Sequence, residues 1–122
     1  METQNQSAVG RVREVGDARR QPRFKIQVKI RIRSRTGEVL EGETVDISES
    51  GISAMLKIEV PLGELVELAF TLPFGQVKIY AMVRQRSAFR YGFQFVESNG
   101  TDEVIHATCS HLSVEQSLLG EP

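Results

Sequence analysis

Strict alternation of apolar and polar residues over 24–33 is the feature that most constrains the fold of this chain. The apolar positions are Phe24, Ile26, Val28, Ile30 and Ile32. A period of two belongs to a half-buried β-strand, because successive side chains point to opposite faces. The segment therefore predicts a strand over 24–33 whose Lys and Arg residues face water or a ligand rather than the core.

Five further segments have the length and composition of strands, and each ends at a turn signal. They span 39–47, 52–56, 65–72, 77–84 and 90–96. Residues such as Gly63 and Pro73 separate them, and glycine and proline favour turns over continued strand. Six short strands with regular turn signals indicate an antiparallel barrel.

A helix is expected after the last strand. Thr101 is a suitable N-cap, and Asp102 and Glu103 would lie near the positive end of the helix. Helical spacing then relates Val104, Ile105, Thr108, Cys109 and Leu112. We predict an all-β chain with a terminal helix, a six-stranded antiparallel split barrel closed by that helix.

The predicted organisation has three parts. A flexible tail over 1–16 precedes a barrel with its N-terminal arm over 17–100, and a helix and tail occupy 101–122. Exposed apolar surface around Leu112, Leu118 and Leu119 is a candidate contact for a partner protein, and core packing is an equal alternative for these residues.

Length and composition bound the class of protein. A chain of 122 residues forms one domain. No apolar run approaches the roughly 20 residues of a membrane span, and the N-terminus has no apolar signal region. The single cysteine, Cys109, fits a reducing compartment, so we expect a cytoplasmic protein. It has no activating partner in the sequence, which favours a buried small residue over a nucleophile.

The net charge of −1 conceals a basic segment. Between Arg11 and Arg35 there are ten basic residues and only two acidic ones. Such an excess favours an anion site at one edge of the protein. For its second half, over 25–35, a solvated strand face is the preferred explanation.

Two short motifs combine into one chemical set. Arg19 and Arg23 form an RxxxR motif, and Asp46, Ser48 and Gly51 form a DxSxxG motif. Guanidinium groups suit phosphate and the O6/N7 edge of guanine. A carboxylate accepts from the N–H groups of guanine. The pair therefore points to an anionic guanine nucleotide.

Neither motif is specific alone. RxxxR also occurs at Arg31/Arg35 and Arg86/Arg90, where a polar strand face and a turn between the last two strands explain it. DxSxxG is also a common turn composition. Arg19/Arg23 differs because it lies before the first strand, in a linker that contains Pro22. The order of the two motifs, each beside the same barrel mouth, favours the ligand interpretation.

At these residues the chain resembles the PilZ domain family. The resemblance rests on the RxxxR arm, the DxSxxG turn with the strand after it, and the last strand from Tyr91 to Phe95. It covers about residues 18–97. The family implies a six-stranded barrel that binds the bacterial second messenger cyclic di-GMP.

The resemblance also implies roles for individual residues. Arg19 and Arg23 would grip guanine and phosphate, and Asp46 would accept from the guanine N1/N2 edge. Ser48 would be a polar contact, and Gly51 would permit a tight backbone approach. These roles are expectations from the family.

Position 18 departs from the family pattern. Many members carry an arginine immediately before RxxxR, associated with a stacked nucleotide dimer, where this chain has Ala18. One nucleotide per chain is the resulting hypothesis. Arg20 would partly substitute by contacting phosphate.

Three functions remain open at this stage. The first is a non-enzymatic cyclic di-GMP receptor whose N-terminal arm orders on binding and signals to an unidentified effector, in control of motility, biofilm or exopolysaccharide. The second is a PilZ-like protein–protein interaction module with weak or no nucleotide binding. The third is a nucleic-acid-binding barrel, which the overall acidity and the few aromatic residues disfavour. No metal, cofactor or catalytic motif is found, and a homo-oligomer is left open.

Overall fold

The structure is a computed structural model that describes residues 21–97 and 101–118. The tail predicted over 1–16, together with Ala18, Arg19, Arg20 and Leu119, lies outside these described residues.

Seven strands and one helix form the described fold. The strands are β1 Phe24–Lys25, β2 Lys29–Arg33, β3 Val39–Ile47, β4 Gly51–Leu56, β5 Leu65–Leu72, β6 Gly75–Ser87 and β7 Arg90–Glu97, and the helix is α1 Asp102–Leu118. All pairings are antiparallel, in the order β1-β3-β2-β5-β6-β7-β4, and β4 pairs back onto β3. This last pairing closes the sheet into a barrel.

The barrel is six-stranded, as predicted, because β1 and β2 lie along β3 as one interrupted strand. β1 pairs with the end of β3, where Lys25 faces Asp46. β2 pairs with its earlier part, where Lys29 faces Glu43. The prediction of a continuous strand over 24–33 was therefore wrong at the break between the two.

Thr44 bridges the break. Its hydroxyl donates to the carbonyl of Ile26 at 2.6 Å and accepts from the amide of Val28 at 2.9 Å. The Thr44 side chain is 3% exposed, so these backbone groups have little access to water. A buried hydroxyl thus replaces the ladder hydrogen bonds that the interruption removes.

Alternation along the strands builds the core. In β2, Ile30 and Ile32 are buried, while Lys29, Arg31 and Arg33 are exposed, as the sequence predicts. The inward residues of the other strands complete the barrel interior, among them Leu40, Ile47, Ile52, Ala54, Leu56, Val66, Leu68, Phe70, Ile79, Val83 and Phe93. Apolar burial of this kind is the main stabilising contribution to the fold.

Helix α1 packs against β1, β5 and β6. It buries Ile105, Cys109 and Leu112 against the barrel, which leaves them 3%, 3% and 6% exposed. Leu112 is therefore a core residue rather than part of a partner surface. Within the described residues, no helix combines the length and apolar character needed to cross a membrane.

The side chain of Gln116 joins the last part of α1 to β1. Its Oε1 accepts from the Lys25 amide at 3.2 Å, and its Nε2 donates to the Lys25 carbonyl at 2.8 Å. One side-chain amide thus pairs with both backbone groups of a strand residue, as a neighbouring strand would. The helix is fixed directly beside the segment that carries Arg23.

We expect Thr44→Val to destabilise the fold by about 1–3 kcal/mol, because the Ile26 carbonyl and Val28 amide lose their buried partner. Urea unfolding measures this change. Thr71→Val, at an exposed position of β5, is the matched control and should shift the free energy of unfolding by less than about 0.5 kcal/mol. Equal effects of the two substitutions would contradict the bridging role of Thr44.

Candidate functional site

A β-bulge in β3 directs Asp46 to the outside of the barrel. Thr44 pairs with Ala54, but Asp46 rather than Val45 pairs with Ser53, so β3 contains one extra residue at this point. An extra residue reverses the inward–outward alternation of the residues that follow. Without it, Asp46 would continue the inward series of Thr44, and its carboxylate would lie in the core.

Three side chains converge on the Asp46 carboxylate. Oδ1 accepts from Arg23 Nη2 at 2.8 Å and Nε at 3.0 Å, and from Ser53 Oγ at 2.7 Å. Oδ2 accepts from Arg90 Nη2 at 2.7 Å. The Asp46 side chain is 15% exposed, while the Arg23 and Arg90 side chains are 42% and 49% exposed. The site therefore presents two accessible guanidinium groups around one shielded carboxylate.

Arg23 of the RxxxR motif contacts Asp46 of the DxSxxG motif. Arg23 immediately precedes β1, and β1 pairs with β3 so that Lys25 faces Asp46. This short pairing brings Arg23 from one motif onto Asp46 from the other. Arg19 and Arg20 belong to the undescribed segment, and their placement remains a prediction.

Arg90 is the site residue that sequence reasoning missed. The Arg86/Arg90 pair was attributed to the turn between the last two strands, and Arg90 does follow that turn, but its side chain also contacts Asp46. Arg90 on β7 pairs with Met55 on β4. The next pair whose side chains share this outer face is Gly92 with Ser53, so Arg90 lies close to Ser53. Only the pairing of β4 with β7 reveals that Arg90 adjoins Asp46, and the sequence around Arg90 contains no signal for that long-range register.

Ser48 and Gly51 have structural roles in the turn between β3 and β4. The Ser48 side chain is fully buried and accepts from the Ser50 amide at 3.3 Å. The Ser48 amide donates to the Gly51 carbonyl at 2.8 Å. A Cβ on Gly51 would lie 2.4 Å from the Phe93 carbonyl oxygen, so glycine is required by the close approach of β7.

Asp46 is held in its ionised form. Burial acts to raise the pKa of the carboxyl group, but hydrogen bonds from Arg23 and Ser53 and the charges of Arg23 and Arg90 outweigh it. The net result is a pKa below the usual value for aspartate. At neutral pH the site thus offers a charged acceptor.

Helix α1 also contacts the DxSxxG turn. His106 Nδ1 lies 2.8 Å from Glu49 Oε2. Burial, together with the negative charge of Glu49, raises the pKa of Cys109 to about 11, so this thiol stays protonated at neutral pH. Through Glu49 and through Gln116, the helix touches the segments that hold both motifs.

The basic residues of β2 do not belong to the site around Asp46. An open groove of about 940 Å³ runs along β2, β5 and β6, with Lys29, Arg31 and Lys78 in its lining. Arg31 lies 3.8 Å from Glu41, and Arg33 lies 3.5 Å from Glu67. These exposed pairs partly neutralise the strand, which supports the interpretation of a solvated face.

A model of the PilZ domain family matches residues 17–109. This match covers most of the chain, including both motifs and the whole barrel. The chain belongs to the PilZ domain family. No curated protein sequence matches it.

Several solved structures share the fold of this chain. The PilZ domain of YcgR from Escherichia coli, described as bound to c-di-GMP, is 15% identical with a TM-score of 0.65, and the match covers 80% of this chain and 92% of that one. The PilZ domain of CeSA from a cellulose-synthesising bacterium is 17% identical with a TM-score of 0.59, covering 73% and 96%. Apo MrkH from K. pneumonia is 20% identical with a TM-score of 0.69, covering 92% and 56%. This PilZ domain thus spans about half of the MrkH chain.

Ionisation of Asp46 should make stability depend on pH in the acid range. Because its pKa is lower when folded, its contribution is present above the unfolded value of about 3.9 and is lost as pH falls through the folded pKa. We expect wild type to lose more unfolding free energy than Asp46→Asn between about pH 6 and about pH 3 in urea titrations. Parallel losses in the two proteins would contradict a depressed Asp46 pKa.

Proposed function

We propose that this PilZ domain is a non-enzymatic receptor for cyclic di-GMP. The observation that supports it most is the contact between Arg23 and Asp46, at 2.8 Å on the outer surface of the barrel. Residues from two separate motifs thereby form one polar site. In this proposal Arg19, Arg20 and Arg23 bind the phosphates and bases, and Asp46 recognises a guanine edge, with Ser48 and Gly51 shaping the turn beside it.

The chemistry of the site fits that ligand. Cyclic di-GMP has two phosphates and two guanines, and a guanidinium group can pair with phosphate while its plane stacks on a purine. The ionised Asp46 accepts from guanine N–H groups. Two cationic groups around one carboxylate leave an excess positive charge, which favours a dianionic ligand.

Ligand entry would exchange partners at Asp46. Oδ1 already accepts three hydrogen bonds and Oδ2 one. A carboxylate offers about four acceptor positions in all, so a guanine edge binds only where a guanidinium group withdraws. Arg23 lies before the first strand, whereas Arg90 belongs to β7, which makes Arg23 the group that moves from Asp46 to the nucleotide.

Names of solved relatives support the same ligand. Structures are described for the YcgR PilZ domain with c-di-GMP and for a MrkH–c-di-GMP complex. Those descriptions concern YcgR and MrkH, whose likeness to this chain establishes the fold. For this chain, the proposal that cyclic di-GMP is the ligand rests on the motif residues and on the geometry around Asp46.

Signalling would pass from the site to α1. Ligand capture would order the N-terminal arm against the barrel, as in other order–disorder switches. Movement of Arg23 would reach α1 through the Lys25–Gln116 pair, and movement of the turn would reach it through Glu49 and His106. A partner protein in the cytoplasm would detect the changed surface, in the control of motility, biofilm or exopolysaccharide.

Two other proposals are weaker. An interaction module without nucleotide binding does not need the converging charges at Asp46. A nucleic-acid-binding barrel would use the groove beside β2, where Glu41 reduces the positive charge. Ala18 supports one nucleotide per chain, and a homo-oligomer remains a proposal.

Replacement of the motif arginines by lysine tests the receptor function. We expect Arg19→Lys and Arg23→Lys each to weaken cyclic di-GMP binding more than about tenfold, because lysine lacks the planar fork that pairs and stacks. Isothermal titration calorimetry measures affinity and stoichiometry together. Arg33→Lys, on the outer face of β2, is the control and should bind like wild type.

Two results would count against this function. Wild type that gives no heat with cyclic di-GMP would exclude the receptor, and wild-type affinity in Arg23→Lys would exclude the bidentate role. Competition by single-stranded RNA for the same site would favour nucleic acid instead.

Coupling to the helix has its own measurement. In hydrogen exchange, added cyclic di-GMP should slow the amides of Gln21 and of residues 23–25, together with those at the end of α1. Gln116→Ala should keep the effect at Gln21 and residues 23–25 and lose it in the helix, because the link through Lys25 is removed. Identical helix protection in both proteins would exclude this route.

A further inference from the structure

The Arg90 guanidinium lies at the outer face of the site with most of its donors unused. Its Nη2 is 2.7 Å from Asp46 Oδ2 and 3.4 Å from Ser53 Oγ. Within the described residues, no other atom of this group makes a hydrogen bond, and the side chain is 49% exposed. An arginine has five N–H donors, so several stay available to a ligand.

Arg90 is also more firmly positioned than Arg23. It is the first residue of β7 and pairs with Ser87 across a two-residue hairpin loop and with Met55 on β4. Beside it, the Phe89 carbonyl accepts from the Leu56 amide at 2.8 Å. Arg23 only precedes a two-residue strand. When Arg23 leaves Asp46 for the nucleotide, Arg90 therefore remains in place.

Charge balance does not explain the presence of Arg90. Arg23 alone neutralises the Asp46 carboxylate through two hydrogen bonds to Oδ1. Arg90 adds a second positive charge to the same carboxylate, on its other oxygen. A group that exceeds the needs of the ion pair, and that is accessible at the surface, is placed to bind something else.

The order of groups on guanine supplies the partner. Its Watson–Crick edge carries the N2 and N1 donors and, next to N1, the O6 acceptor. A base that donates N1 and N2 to Asp46 places O6 just beyond the carboxylate, on one side of it. Arg90 is the cation held at Oδ2, and arginine is the usual partner of guanine O6 in proteins.

We propose that Arg90 is a specificity-determining residue that donates to O6 of the guanine held by Asp46. This inference rests on the proposed cyclic di-GMP function and adds a third arginine, which belongs to the barrel rather than to the arm. Asp46 then accepts from the two donors of the base while Arg90 donates to its acceptor. Adenine presents an amino group where guanine has O6, so Arg90 would face a donor and reject it.

Binding of three cyclic dinucleotides tests this role by calorimetry. Cyclic di-GMP and cyclic di-IMP both have O6, and only the former has the N2 amino group. We expect Arg90→Met to weaken both by the same factor, roughly ten- to a hundredfold, and to reduce the preference over cyclic di-AMP. Asp46→Asn should instead weaken cyclic di-GMP more than cyclic di-IMP, because it removes the partner of N2.

Two further variants separate this role from charge and folding. Arg33→Met removes a similar exposed, ion-paired arginine from the outer face of β2 and should leave all three affinities unchanged. Arg90→Lys keeps the charge and one donor, and should recover part of the lost affinity. Unfolding temperatures of all variants show whether the barrel stays folded during the titrations.

The outcomes distinguish the inference from the function on which it rests. Wild type that binds no cyclic dinucleotide would overturn both. Wild type that binds while Arg90→Met binds equally well or more tightly would overturn the role of Arg90 alone, and tighter binding would identify Arg90 as a competitor for Asp46. A loss for cyclic di-GMP without a loss for cyclic di-IMP would exclude contact with O6.

Discussion

The extra residue in β3 is the constraint on which the rest of the site depends. A strand presents alternate residues to one face, and insertion of Val45 turns Asp46 outward while Ile47 returns to the core at 0% exposure. On the side of β3 opposite β4, the neighbouring strand is interrupted between β1 and β2, where the Thr44 hydroxyl bonds to its backbone. This register therefore keeps the core residues buried, lets the barrel close and directs Asp46 to the outer surface at the same time.

Two ion pairs share the carboxylate of Asp46. Arg23 arrives from the N-terminal side of the barrel and Arg90 from its last hairpin, and both end on Asp46. In each pair the arginine is about half exposed and the Asp46 side chain is largely shielded, so the two pairs make only a modest contribution to stability. Their importance lies in geometry, since Asp46 and Arg90 are held on the sheet while Arg23, which precedes β1, lies against them.

Much of the fold was predictable from local patterns, and much of the site was not. Alternation over 24–33 and the turn residues indicated six strands, and helical spacing indicated the terminal helix. The bulge at Val45 and the break beside Thr44 depend on pairing between distant strands. The same holds for Arg90, which meets Asp46 through β4 and β7, and for Gly51, whose requirement comes from the Phe93 carbonyl.

The Gln116 amide has a consequence for the edge of the sheet at β1. β1 is the last strand in the sheet order, with β3 as its strand neighbour, and an uncovered strand edge is a template for pairing with other chains. Gln116 occupies both backbone groups of Lys25 on that edge. Among the described residues, the helix thus takes the place of a further strand at Lys25, and loss of the Gln116 side chain would leave these two backbone groups unpaired directly beside Arg23.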